Sequence, residues 1–173
     1  MTDALKNIMT RTSVRKYTGD SIPLEDRDLI LKAAMAAPTA KNSQPWSFVV
    51  IDDKTILNRL REELPYAKML DKADFAIAVC GIPDKAPEVT QYMWVQDCSA
   101  ATQNILLAAH ALGYGAVWTG AYPSPDRIKT ISDNCGLPES IIPLNLIALG
   151  VPESKEHKII NKYDSTLVHY NKW

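Results

Sequence analysis

Glycine is scarce in this chain, with only seven among 173 residues. None of the glycine-rich motifs that hold phosphate through backbone amides is present: there is no GxxxxGK[ST] loop and no GxGxxG dinucleotide motif. A GxSxG nucleophile motif is also missing. Any phosphate on a ligand of this protein would therefore have to be bound by side chains.

Other absences exclude further classes of protein. A net charge of −1 excludes binding of nucleic acid or acidic lipid by bulk charge. No apolar run has the length of a signal peptide or of a membrane span, which predicts a cytoplasmic protein with no membrane partner. The three cysteines are far apart and form no CxxC pair, and the three histidines form no ligand motif, so no metal site is predicted.

The pattern of apolar residues predicts one domain of α+β class. Helices are expected at 3–9, 24–37, 55–64, 89–112 (with a break near Trp94 left open) and 125–135. Strands are expected at 46–51, 75–80, 116–119 and 144–150. Because strands and helices do not alternate cleanly, a central sheet with helices on both faces is favoured over a doubly wound sheet.

The last 21 residues, 153–173, show no helical or strand periodicity but carry several large apolar side chains. A free tail seldom has so many. We therefore expect this segment to pack against another surface, most simply a second copy of the chain.

Three segments stand out as candidate binding elements. The first, residues 11–16, has two arginines, a lysine and two hydroxyl groups that can bind a phosphate through charge-assisted hydrogen bonds. The second, residues 37–46, is a polar loop with two prolines and a tryptophan between a helix and a buried strand. The third, residues 116–123, places Trp118 beside Gly120, where a flat ligand could approach the backbone.

Each segment also has a simpler interpretation. Residues 11–16 could be a solvated basic edge, residues 37–46 an ordinary loop rich in turn formers, and Trp118 part of the core.

Taken in order along the chain, these segments resemble the nitroreductase family of FMN-dependent oxidoreductases, in particular its short bacterial members. The resemblance rests on R-x-S-x-R at 11–15, A-P-T-A-K-N-S-Q-P-W at 37–46, G-x-G followed by V-W at 113–118, G-x-P at 150–152, and K-Y-D with H-Y-N-K-W at 162–173. It covers essentially the whole chain.

The resemblance implies a mostly antiparallel sheet and an intertwined homodimer with FMN bound across the subunit interface. Residues 1–152 would form the FMN-binding domain, and 153–173 an extension that wraps the partner. The cofactor-binding residues would be Arg11, Thr12, Ser13, Arg15, Lys68, Trp118, Thr119, Gly120, Lys162 and Lys158, with Pro38, Thr39, Ala40 and Asn42 supplied by the partner subunit.

The implied activity is reduction of an electron-poor acceptor (a nitroaromatic, a quinone or an enone) by NADH or NADPH in a ping-pong scheme. No side chain is predicted as a catalytic nucleophile or acid, because the cofactor carries the chemistry. An FMN-binding storage or sensor protein without turnover is the alternative, and a dimeric scaffold without flavin is a further one. Thr12 stands where many members have arginine or histidine, and residues 118–120 replace the P-x-E-G segment of larger members.

Overall fold

The computed structural model describes residues 1–154, 159 and 161–173. Its helices are α1 (Asp3–Thr10), α2 (Leu24–Met35), α3 (Lys54–Glu63), α4 (Pro87–Ala111) and α5 (Pro125–Cys135). Its strands are β1 (Trp46–Ile51), β2 (Phe75–Gly81), β3 (Gly115–Gly120) and β4 (Ile142–Gly150). No helix in these described residues is long and apolar enough to cross a membrane.

The four strands form one antiparallel sheet in the order β1-β2-β4-β3. Each strand of the central pair is buried on both faces, because β2 is apolar throughout and β4 nearly so. Alternate β2 residues face opposite layers: Ala76, Ala78 and Cys80 pack toward α3 and α5, whereas Phe75, Ile77 and Val79 pack toward α2 and α4. The predicted α+β class, with helices on both faces of an antiparallel sheet, is confirmed.

Most boundaries lie within two residues of the sequence prediction, and three features of the elements have a clear physical reason. Helix α2 ends at Met35, two residues early, since Ala37 precedes Pro38 and that position disfavours helix. Helix α4 runs unbroken through Trp94, which is buried on the side that packs on the sheet. Strand β4 begins before Pro143, because a register shift opposite Val79 and Cys80 leaves a bulge that tolerates a proline.

Candidate functional site

The basic segment, residues 11–16, follows α1 and lies against the start of β3. The backbone N–H of Arg11 closes the last turn of α1 on the Asn7 carbonyl at 3.1 Å. Three residues later the Val14 N–H donates to the Ala116 carbonyl at 3.0 Å. The segment is thus held at both ends by the backbone, which leaves its polar side chains available to a ligand.

Tyr17 anchors the end of this segment in the core. Its hydroxyl lies 2.7 Å from the Val14 carbonyl oxygen and 3.1 Å from that of Ala148, and burial raises the pKa of the phenol far above its usual value. A Cβ on Gly150 would come within 2.7 Å of the Tyr17 ring. Two of the glycines in the sheet, Gly115 and Gly150, therefore make room for this anchor.

Arg11 and Arg15 differ in their surroundings. Arg11 is half-buried, and its Nη1 is inaccessible and has no hydrogen-bond partner among the described residues. Arg15, Ser13 and Thr12 are exposed. A buried guanidinium nitrogen without an acceptor is costly, so Arg11 suits a position that an anionic ligand completes.

Two adjoining depressions in the surface share the lining residues Arg15 and Tyr66. We call the two together the Arg15 cavity. The larger part has a volume of about 690 Å³ and is lined by cations and only two acids. Its charged lining residues are Arg15, Lys16, Lys68, Lys72, Asp71 and Glu153. One of the acids, Asp71, is already paired with Arg61 at 2.6 Å, so the cavity presents net positive charge.

The smaller part of the Arg15 cavity has a volume of about 220 Å³ and no acidic lining residue. It is bordered by Arg15, Pro65, Tyr66, Trp118, Thr119, Gly120 and Arg127. Thr119 donates its hydroxyl to the Leu146 carbonyl at 2.6 Å, which fixes the end of β3. Within this chain a Cβ on Gly120 would meet nothing within 4 Å, so the backbone there is open to a flat ligand.

Lys68 reaches this cavity from a single 3₁₀ turn, Lys68–Asp71. Met69 and Leu70 of the same turn are buried in the core, which leaves Lys68 pointing away from it and exposed. Tyr66, just before the turn, has a φ of 65° although it is not glycine. Such a strained residue needs support from its surroundings and is often found at a binding site.

The polar loop, residues 37–46, is rigid, as its prolines predict. Lys41, Asn42 and Gln44 have positive φ values of 50°, 54° and 48°, a cluster of left-handed residues that only a strongly constrained loop retains. The Gln44 N–H donates to the Thr39 hydroxyl at 3.1 Å, and the Gln44 carbonyl accepts a hydrogen bond from Lys85 Nζ at 2.7 Å.

Asp97 on α4 contacts the same loop through a hydrogen bond. It is buried, and its Oδ1 accepts a hydrogen bond from the Ala40 N–H at 3.1 Å. Its Oδ2 and the Ser43 hydroxyl are buried without partners among the described residues. A lone carboxylate on the buried face of a helix rich in small apolar residues is the signal that could have identified Asp97 from sequence.

The structure brings only part of the predicted site together within one chain. Arg15, Lys68, Trp118, Thr119 and Gly120 border the Arg15 cavity. Lys41 and Ser43 of the polar loop instead border a separate cavity of about 380 Å³ beside the start of α4, with no lining residue in common. Pro38, Thr39, Ala40 and Asn42 belong to that loop and not to the Arg15 cavity.

The C-terminal candidates lie apart from both cavities. Lys162 is exposed and borders neither of them, and Lys158 lies outside the described residues. Arg127 is a lining residue that no sequence motif identifies; it lies in the first turn of α5, and its Nη1 donates to the Gly120 carbonyl at 3.3 Å.

The residues present fit a flat, phosphorylated cofactor. The orphaned Nη1 of Arg11, the excess of cations and the open backbone at Gly120 each match one feature of such a ligand. The cysteines are unsuited to nucleophilic chemistry, since burial raises the pKa of both Cys80 and Cys98 to about 12.

Comparisons with known proteins identify the family of this chain. The model of the nitroreductase family matches residues 8–65 and 57–151. A protein of Archaeoglobus fulgidus with the provisional name NADH dehydrogenase/NAD(P)H nitroreductase is 43% identical over 175 residues, covering all of both chains. A solved structure of a Bacteroides thetaiotaomicron protein with the same provisional name is 46% identical, with a TM-score of 0.93 over 100% of this chain and 99% of that one.

A third relative, the FMN-dependent nitroreductase of Clostridium difficile R20291, is 29% identical. Its structure superimposes with a TM-score of 0.88 over 98% of this chain and 99% of its own. Because the family model and the relatives span nearly the whole sequence, the chain belongs to the nitroreductase family.

Proposed function

We propose that this protein is an FMN-dependent oxidoreductase that uses NADH or NADPH to reduce an electron-poor acceptor. The observation that carries the proposal is the Arg15 cavity, in which cations, an aromatic side chain and an open glycine backbone meet. The names of the relatives, NAD(P)H nitroreductase and FMN-dependent nitroreductase, support the same cofactors.

Each predicted residue then has a role toward FMN. Arg11, Thr12, Ser13 and Arg15 would hold the phosphate, the ribityl chain and the pyrimidine edge, and Lys68 would lie at the pyrimidine. Trp118, Thr119 and Gly120 would line the ring. Lys162, and Lys158 with it, would add positive charge at the phosphate.

When bound, FMN would supply hydride acceptance from the nicotinamide and electron donation to the acceptor. Arg15 and Lys68 would place fixed positive charge beside the pyrimidine ring, which favours the more negatively charged state of the cofactor. Nicotinamide and acceptor would both react at the same flavin ring, so they would occupy one site in turn, in a ping-pong scheme. Nitroaromatics, quinones and enones are acceptors with the required electron demand.

The visible spectrum and rapid mixing test this function. We expect the purified protein to be yellow, or to stay yellow after incubation with FMN and removal of the free cofactor. We expect anaerobic NADH or NADPH to bleach the bound flavin within the time of one turnover. Bound FMN that neither nucleotide reduces at a useful rate would point to a storage or sensor protein. A protein that is colourless once free FMN has been removed would point to the scaffold without flavin.

We also propose that the working unit is a homodimer in which the partner's polar loop completes each Arg15 cavity. The loop lies outside this cavity within its own chain. Arg11 and Asp97 each keep a buried atom without a hydrogen-bond partner among the described residues. The segment 153–173 would wrap the partner, because the large apolar side chains that the structure describes in it are exposed. Trp173 is 99% exposed and Tyr170 is 82% exposed.

Sedimentation equilibrium tests the dimer. We expect the full chain to have twice the mass of 19.2 kDa. A variant that ends at Ser154 keeps the backbone bridge between Tyr17 and Pro152, so its domain should still fold. We expect that variant to dissociate at higher concentration than the full chain and to bind FMN more weakly. A full chain that is monomeric with FMN bound would contradict the proposal.

We place the protein in the cytoplasm. The three free cysteines, two of them buried thiols, are typical of a reducing compartment.

A further inference from the structure

Asp97 is a buried carboxylate that none of the roles above uses. It is 5% exposed and lies on the face of α4 that also carries the buried residues Trp94 and Ala101. Its Oδ1 has a partner in the Ala40 N–H, whereas its Oδ2 is buried without one in the part of the chain that the structure describes. A half-satisfied buried carboxylate costs stability. The bond that Asp97 makes is therefore a better reason for its presence than stability is.

This bond fixes the most constrained part of the polar loop. The Ala40 N–H lies at the start of the 3₁₀ turn Ala40–Asn42, in which Lys41 and Asn42 have positive φ values of 50° and 54°. The hydrogen bonds within the turn use the carbonyls of Thr39 and Ala40, so the Ala40 N–H is free to donate to α4. Non-glycine residues keep a left-handed conformation where contacts from outside impose it.

We infer that Asp97 is a positioning residue for the FMN of the partner subunit, because it sets the shape of the loop that completes the partner's cavity. The inference rests on the proposed function and the proposed dimer. Within one chain the loop and the Arg15 cavity have no lining residue in common. Asp97 thus acts on the cofactor bound by the other chain, whereas Arg11 acts on the cofactor of its own chain.

Titration of the apoprotein with FMN measures the effect of the hydrogen bond. We expect Asp97→Ala to weaken FMN binding by about tenfold, since the turn loses its contact with α4. Asp97→Asn keeps an oxygen that can accept from the Ala40 N–H, so its affinity should lie within about threefold of the wild-type value. Ser99→Ala is the control on the same helix, because the Ser99 hydroxyl donates to the Val95 carbonyl at 2.6 Å and not to the loop. It should keep the FMN affinity.

Mixed dimers separate an action on the partner from a merely structural role. One subunit carries Arg11→Ala and the other carries Asp97→Ala, and two different affinity tags allow the mixed species to be purified. The subunit with Asp97→Ala keeps its own Arg11 and receives an intact loop from its partner. We therefore expect one FMN site of wild-type affinity and one weak site in each mixed dimer. Both parent homodimers should have weak sites alone.

A structural role gives a different result. If the loss of Asp97 damaged the subunit that carries it, each site of the mixed dimer would contain one defect and no site would have wild-type affinity. Asp97→Ser repeats the test should Asp97→Ala not fold, because a helical serine can bond the carbonyl four residues earlier, as Ser99 does.

Three results would overturn the inference. They are an unchanged FMN affinity in Asp97→Ala, an Asp97→Asn variant as weak as Asp97→Ala, and a mixed dimer without a site of wild-type affinity. Failure of the proposed function is a separate observation. NADH and NADPH would then leave the bound flavin oxidised, while the FMN titrations, which need no turnover, still decide the role of Asp97.

Discussion

Replacing Arg11 or Arg15 by alanine is expected to weaken FMN binding by about 10- to 150-fold. That range corresponds to about 1.5–3 kcal/mol for a lost hydrogen bond to a charged group. We expect Arg11→Ala to have the larger effect, because Arg11 already has a buried nitrogen without a partner. Arg15 is exposed, so its contribution should shrink as salt is added.

The measurement is titration of the apoprotein with FMN at low and high ionic strength. Arg59→Ala is a suitable control, since Arg59 is an exposed arginine on α3 that borders neither part of the Arg15 cavity. Unchanged FMN affinity in both Arg11→Ala and Arg15→Ala would show that residues 11–16 are a solvated basic edge.

The second large effect is expected from Gly120→Ala, with Gly115→Ala as a comparison that lowers the stability of the apoprotein. Gly120→Ala should leave the melting temperature of the apoprotein unchanged, because the new methyl group meets nothing within 4 Å. It should nevertheless weaken FMN binding severely, since the methyl group would occupy space that the flavin ring needs.

Gly115→Ala should instead destabilise the apoprotein. Its methyl group would lie 2.7 Å from Val14 Cγ1 and 3.1 Å from Tyr17 Cε1, which forces the basic segment away from β3. We expect a loss of about 1–3 kcal/mol of folding stability. For a domain of this size that lowers the melting temperature by about 2–4 °C for each kcal/mol. Calorimetry of the apoproteins and FMN titration together separate the two effects. An unchanged FMN affinity in Gly120→Ala would show that the flavin ring does not lie against Gly120.

Much of the secondary structure could be predicted because its signals are local. Pro125 and Gly136 bound α5 at the predicted residues, since proline suits a first helical turn and Gly136 adopts a φ of 63° after the last. The composition of β1 likewise predicts its limits. The ends of α2 and β4 were less predictable, as they depend on the residue before Pro38 and on a bulge opposite β2.

The candidate site was predictable only in parts. The basic segment and the polar loop carry their chemistry in short runs of sequence, so both are visible without a structure. The strain of the loop at Lys41, Asn42 and Gln44 has no sequence signal, because non-glycine residues rarely adopt positive φ and nothing local requires it here.

The sequence alone therefore decides the type and order of the elements, the family and the identity of the cation-bearing segments. The tertiary structure decides which of them meet. Arg15, Lys68 and Trp118 share a cavity because the strand order β1-β2-β4-β3 brings β3, the turn after α3 and the segment after α1 together. Arg127 borders this cavity with Arg15, and Asp97 contacts Ala40, in the same way, since contacts between residues far apart in the chain depend on sheet register and helix packing rather than on local propensity.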